Sequence, residues 1–298
     1  VTRDSAPNAH SMIDRRGFLI RTSSALGATA FLRRDPEFLT DSAESRVTSH
    51  ESLSRVGVQL YTVRNAMKEN VERTLEQVAR IGYKEVEFAG YFGRTPQQVR
   101  AQLDANGLAA PSAHSADLPT VRTRFAEVLE TATIIGHRYV LCASLPRSEQ
   151  TLDGYKRIAA EFNSAGEVAA KSGLVFGFHN HDEVFKPLGS TTGYDILLAE
   201  TDPKLVAMQM DLFWIVKGGK DPLAYFAKYP GRFASVHVKD MAAGGAMVDV
   251  GAGQLPFAKY FAQSKQAGIR HYFVEHDEPA DPFASIAASY RYLAALKF

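Results

Sequence analysis

From about residue 54 onward the chain repeats one pattern eight times: a short apolar run, then a longer stretch with helical spacing. The runs are 56–61, 85–89, 111–115, 139–143, 174–179, 206–211, 233–238 and 271–275. Short apolar runs between turn residues read as strands, and apolar positions recurring every three to four residues read as helices. Behind the first run, Met67, Val71, Leu75, Val78 and Ala79 share one helical face, and Gly82 ends that helix. Pro96 sits where a helix after the second run should open. Tyr155, Ile158, Ala159, Phe162 and Ala169 give a third amphipathic face that Gly173 closes, and Phe283, Ile286, Tyr290 and Leu293 give the last. The third run, 111–115, is the weakest.

Strands that alternate with helices imply a parallel sheet. Eight units in roughly 245 residues match the closed (β/α)8 barrel, a single α/β domain of about 250 residues. The alternative is an open doubly wound sheet, but no Gly-rich phosphate loop follows the first run.

The first fifty residues read differently. Arg15 and Arg16 precede Gly17, Phe18 and Leu19, and a weakly apolar stretch runs from Thr22 to Leu32. Ala28, Thr29 and Ala30 have the small-x-small form of a cleavage site, while Arg21 inside the stretch departs from the pattern. The stretch is far shorter than the roughly 20 residues a membrane span needs. Residues 1–50 are therefore expected to be a twin-arginine export signal with a polar linker, and 51–298 the barrel. That reading places the protein outside the cytoplasm, in the periplasm, without a membrane anchor. Lys plus Arg number 34 against 33 Asp plus Glu, so no electrostatic case exists for nucleic acid as a partner. The lone Cys142 excludes an internal disulfide and every multi-cysteine metal motif.

The functional signal lies where the runs end. In a barrel of this kind the C-terminal ends of the strands carry the chemistry. The fifth run ends at His179, the sixth at Asp211, the seventh carries His237 at its close, and the eighth ends at Glu275. A lone His there is more often a hydrogen-bonding residue, and a lone Asp is often a helix N-cap. Four such residues at equivalent positions point instead to one shared divalent cation, which removes the cost of burying carboxylates together. Two imidazoles and two carboxylates suit Mn²⁺, Zn²⁺, Co²⁺ or Fe²⁺ better than Ca²⁺, with Mn²⁺ expected first and Mg²⁺ as a further option. His114 closes the third run and is expected to contact substrate. Trp214 reads either as a sugar-stacking platform or as core. Lys239 and Asp240 follow His237; Lys239 is expected to bind a substrate oxygen and Asp240 to support substrate binding, against the plainer reading of surface ion pairs. Gln59 and Glu87 lie in the first two runs, with the face they present left open.

These residues resemble the sugar phosphate isomerase/epimerase proteins, the xylose isomerase-like barrels. The resemblance covers residue 55 onward and rests on 56–62, His179-Asn180-His181-Asp182, Met210 to Trp214, Val236 to Asp240 and the strand bearing Glu275. It implies a Mn²⁺-type ion held by Glu, Asp, His and Glu from four successive strands. Asp211, His237 and Glu275 match the last three ligands. At the first, where the family often reads Glu-Asn-His, this chain reads His-Asn-His, so His179 takes the ligand role with His181 as rival. The resemblance further implies proton abstraction α to a carbonyl with enediolate stabilisation, that is, isomerisation or epimerisation of a small-molecule sugar. Glu275 is then the base. With an imidazole such as His181 beside it, the same machinery suits a lyase or hydratase of keto-sugars or 3-keto-glycosides. Export argues against a phosphorylated substrate. A sugar-binding barrel without catalysis is the alternative of another class, and a nuclease would require a basic run that the chain lacks.

Overall fold

The computed structural model describes residues 51–298. The export signal and linker expected over residues 1–50 lie outside the described residues. Eight parallel strands close a barrel: β1 (Gly57–Gln59), β2 (Glu85–Phe88), β3 (Ala109–Ala116), β4 (Tyr139–Cys142), β5 (Val175–His179), β6 (Val206–Asp211), β7 (Phe233–Val238) and β8 (His271–Val274). Neighbours around the barrel follow chain order. Closure is made by β1, where Gly57 pairs with Glu85 of β2 on one side and Phe273 of β8 on the other. A Cβ on Gly57 would lie 2.6 Å from the Phe273 ring, so only glycine fits at this seam.

Helices connect the strands and are started by local chemistry. Asn70 caps the helix Val71–Ile81 by accepting from the Arg73 amide. Thr95 and Gln98 form a reciprocal capping box around Pro96 at the start of Pro96–Asn106. Thr151 caps the longest helix, Leu152–Lys171, whose inner face carries Tyr155, Ile158, Ala159, Phe162 and Ala169. Phe162 meets Phe176 and Phe178 on the outer face of β5, ring centroids 5.0 and 5.6 Å away. That contact fixes strand parity. With Phe176 and Phe178 turned to the helices, Gly177 and His179 turn into the barrel.

The barrel interior is polar rather than greasy. At its lower end His271 Nδ1 lies 2.8 Å from Glu85. In the middle, Gln59, Glu87, Ser112, Gln209 and Ser235 are all buried and bond to one another. The upper layer holds the strand-end residues singled out from the sequence. Two short hairpins, Pro187–Leu188 with Thr191–Thr192 and Asp240–Met241 with Met247–Val248, decorate this upper rim.

Candidate active site

The structure brings His179, Asp211, His237 and Glu275 together at the C-terminal mouth of the barrel, each 6% exposed or less. Donor atoms of Asp211, His237 and Glu275 lie within 4.8 Å of one another. Asp211 Oδ2 stands 3.9 Å from His179 Nε2 and 3.9 Å from His237 Nδ1.

Asp211 divides its carboxylate between two tasks. Oδ1 accepts from the amides of Phe213 and Trp214, both at 2.9 Å, and so caps the helix Leu212–Lys217. Oδ2 is buried and finds no hydrogen-bond partner among the described residues. Lys239 Nζ lies 3.2 Å from it without hydrogen-bond alignment. Asn180 fixes the backbone beneath by accepting from the Asp211 amide. A buried carboxylate oxygen left without a hydrogen bond is costly, and a cation is the partner that relieves it. The donor set thus fits a divalent ion, which His179, Asp211, His237 and Glu275 would hold.

Glu87 is the support beneath. Gln59 Nε2 donates to it at 2.7 Å, Gln209 Nε2 at 2.8 Å, and Ser112 Oγ and His237 Nε2 also bond to it. Burial pushes Glu87 up, but His114 and His237 more than offset this and hold it at about 2. His179 Nδ1 donates to Gln209 Oε1 at 2.9 Å, which leaves Nε2 free to act as a ligand. Burial, then the neighbouring imidazoles, hold His179 well below the usual histidine range, so it is neutral. His237 is the opposite case. Burial disfavours its charge, yet Glu275 and Glu87 lift it to about 10, with Nδ1 2.7 Å from Glu275 Oε2.

Lys239 completes the cluster. It is 1% exposed, and Nζ lies 2.8 Å from both Glu275 Oε2 and Asp277 Oδ1. Burial disfavours the ammonium, but Asp211, Glu275 and Asp277 overcome this and hold it charged. Burial likewise acts upward on Glu275, while Lys239 and His237 pull it below the usual carboxylate range. For Asp211 burial prevails and the carboxyl is raised.

The mouth opens into a cavity of about 750 Å³ lined by His114, His179, His181, Lys239, Glu275 and Asp277, with Tyr61, Ala89, Ala143, Ser144 and Glu278 around them. His114 is half-buried, stacks on His237 and bonds through Nε2 to Gln209 Oε1 at 2.6 Å. His181 lines the cavity, its ring centroid 4.8 Å from that of His179, but it does not join the converging ligand atoms.

Two sequence expectations are corrected. Asp240 does not face the cavity: its carboxylate accepts from the amides of Met241, Gly251, Gly253 and Leu255 and folds the loop after β7. Trp214 is not a platform in the cavity wall; it packs edge-on against His181, 5.7 Å between centroids, with its indole nitrogen buried. The sequence alone leaves the face of Glu87 open and assigns no individual role to Gln209, Ser112, Asn180, Asp277 or Tyr61. Strand alternation could have found Gln209, two residues before Asp211.

Fold and site together define a (β/α)8 enzyme-type barrel with a polar, cation-ready mouth. A family model for the xylose isomerase-like TIM barrel matches residues 75–296, and the chain belongs to that family. It is 25% identical over 190 residues to the inosose dehydratase of Lacticaseibacillus casei, covering 57% of this chain and 63% of that protein. The match thus spans less than two thirds of that relative. Over 91 residues it is 31% identical to the inosose dehydratase of Bacillus anthracis (strain CDC 684 / NRRL 3495), 30% of each chain. A sugar phosphate isomerase/epimerase structure from Parabacteroides distasonis ATCC 8503 aligns at TM-score 0.71 and 27% identity, over 86% of this chain and 98% of that one. These relatives are enzymes.

Proposed function

We propose that the protein is a divalent-metal-dependent carbohydrate enzyme that removes a proton α to a carbonyl. The observation that carries this is the convergence of Asp211 Oδ2, buried without a hydrogen bond, with His179, His237 and Glu275 at the cavity mouth. A divalent ion, Mn²⁺ foremost, supplies a Lewis acid there for substrate carbonyl and hydroxyl oxygens. Glu275 Oε2 already bonds to both His237 and Lys239, which pull the carboxyl below the usual range and make it a weak proton acceptor. The base role moves to His181, whose imidazole lines the cavity without being tied into the ligand cluster. Lys239, an ammonium on the same wall, is the oxygen-binding group and the hydrogen-bond donor to the departing hydroxyl.

Epimerisation needs a base and a proton donor on opposite faces of the carbon, whereas loss of water needs a base for the α proton and a donor to the departing hydroxyl, which can share one wall. The pair His181 and Lys239 on one wall favours elimination from a keto-sugar, and the inosose dehydratase relatives agree. Isomerisation or epimerisation is the second reading, supported by the Parabacteroides likeness. Incubating the Mn²⁺-loaded protein with a panel of keto-sugars in D₂O and following it by NMR tests both. Loss of water supports the first, exchange with an intact ring the second, and neither water loss nor exchange at the α carbon refutes the enzymatic reading. We further propose twin-arginine export: Arg15→Lys with Arg16→Lys should leave the protein in the cytoplasm, and unchanged export would disprove it.

A further inference from the structure

The cavity lining combines His114, His179, His181, Lys239 and Glu275, which carry its chemistry, with the uncharged Tyr61, Ala89, Ala143 and Ser144 from the ends of β1, β2 and β4, and with Asp277 and Glu278 beside Tyr61. Tyr61 is 40% exposed, and is one of three large hydrophobic side chains so exposed among the described residues. The other two, Leu152 and Val168, lie on the helix Leu152–Lys171, away from this cavity. A scattered surface aromatic needs no explanation. Tyr61 differs because it lines the cavity and is held from one side. The Arg64 guanidinium lies 4.2 Å from its ring centroid. Arg64 also donates to the carbonyls of Tyr61 and Asp277, at 3.0 and 2.7 Å, and to Glu278 at 2.8 Å. The ring is therefore clamped to the loop that follows Glu275, yet left partly uncovered at the mouth.

A ligand cavity of several hundred Å³ suits a drug-sized molecule. A single sugar ring placed over the ligand cluster leaves the Tyr61 side of a 750 Å³ cavity unfilled. We propose that Tyr61, backed by Arg64, is the platform for a second, non-reacting ring of a two-ring glycoside whose first ring lies over His179, Asp211, His237 and Glu275. This rests on the carbohydrate reading given above. A flat aromatic face packs against the C–H face of a sugar or against an aryl ring, and a ring already immobilised loses little freedom on binding.

Trp214 is the only tryptophan of the chain and packs against His181, so its fluorescence reports occupancy of the cavity. The Mn²⁺-loaded full chain is titrated with methyl β-glucoside, phenyl β-glucoside and cellobiose. The two-ring probes should bind about tenfold more tightly than methyl β-glucoside. Tyr61→Ala should erase most of that gap while changing methyl β-glucoside affinity less than about twofold, and Tyr61→Phe should keep the gap. Equal affinities for one- and two-ring probes in the unaltered protein overturn the proposal, as does a Tyr61→Ala protein that weakens both alike. If the loaded protein binds none of the three and exchanges no proton of any keto-sugar, the carbohydrate reading fails and the platform fails with it. Turnover of one- and two-ring keto-sugars with equal kcat/KM leaves that reading standing and removes the platform alone.

Discussion

Asp211 offers a substitution that separates folding from metal binding within one carboxylate. Its Oδ1 caps the helix Leu212–Lys217 through two amides at 2.9 Å, while Oδ2 faces His179, His237 and Lys239 without a hydrogen bond. Asp211→Asn keeps an oxygen for the cap and puts an amide nitrogen, which cannot ligate a cation, in place of Oδ2. Metal-free stability should therefore stay within about 1 kcal/mol of the unaltered protein. Mn²⁺ affinity should fall at least about a hundredfold, near 3 kcal/mol, because loss of a mere supporting partner already costs 10–100-fold. Asp211→Ala removes the cap as well and should cost a further 1–2 kcal/mol of stability, roughly 2–4 °C in Tm for each kcal/mol. Metal content after dialysis gives the first quantity, and melting with and without Mn²⁺ gives the second. In the unaltered protein, Mn²⁺ at about a hundred times Kd should add about 2.7 kcal/mol, and the Asn variant should show no such gain. An Asn variant that retains Mn²⁺ within threefold of normal would refute the ligand role. An Asn variant as unstable as Ala would refute the division of labour.

Three further outcomes follow from the same geometry. Glu87→Gln removes the carboxylate behind His237 Nε2 and should weaken Mn²⁺ binding about 10–100-fold by direct titration, and unchanged affinity would deny Glu87 its supporting role. Lys239→Met leaves Asp211, Glu275 and Asp277 facing one another; the metal-free protein should lose about 3 kcal/mol, largely restored by Mn²⁺, and a metal-free melting point equal to normal would contradict this. His137 is buried, with Nδ1 2.6 Å from the Ala110 carbonyl and Nε2 3.1 Å from the Tyr91 hydroxyl, and burial lowers it to about 4. Because the folded value lies below the unfolded one, its contribution is complete above about pH 6.5 and drains as pH falls toward 4, by up to about 3 kcal/mol. His137→Gln should flatten that part of the urea-unfolding curve against pH, and identical slopes in the two proteins would count against the assignment.

All eight strands were legible from apolar runs, because each outer face packs on helices and must be greasy. The weakest run became the longest strand, Ala109–Ala116. Its signal was faint for a physical reason: Ser112 and His114 point into a polar interior, so the strand lacks an apolar inner face. The same polarity hid Glu87 and Gln209, since strand parity is set by register against the helices, not by the run alone. His179, Asp211, His237 and Glu275 were visible because they stand at strand ends. Asp240 misled because its partners, the amides of Gly251, Gly253 and Leu255, reach it only when the loop after β7 folds back. Tyr61 and Arg64 stayed hidden because Arg64 meets Asp277 and Glu278 across more than 200 residues of chain.

The charges at the barrel mouth explain why a polar interior is tolerated at all. Glu87, Asp211, Glu275 and Asp277 face two cations, Lys239 and the protonated His237, so the cluster is short of positive charge by two. Buried carboxylates without compensation would protonate or unfold the site. One divalent ion would supply the missing charge. Were His237 Nδ1 to bind such an ion, the proton shared with Glu275 would be displaced and one negative charge would return to the cluster. The carboxylate best placed to carry it is Asp277, whose side chain is 28% exposed and can be screened by water. The layer beneath does not change, because Glu87 and Gln209 hold His237 and His179 by their far nitrogens. The orientation of both imidazoles is thus set by the protein alone, and the interior polar network is the device that sets it.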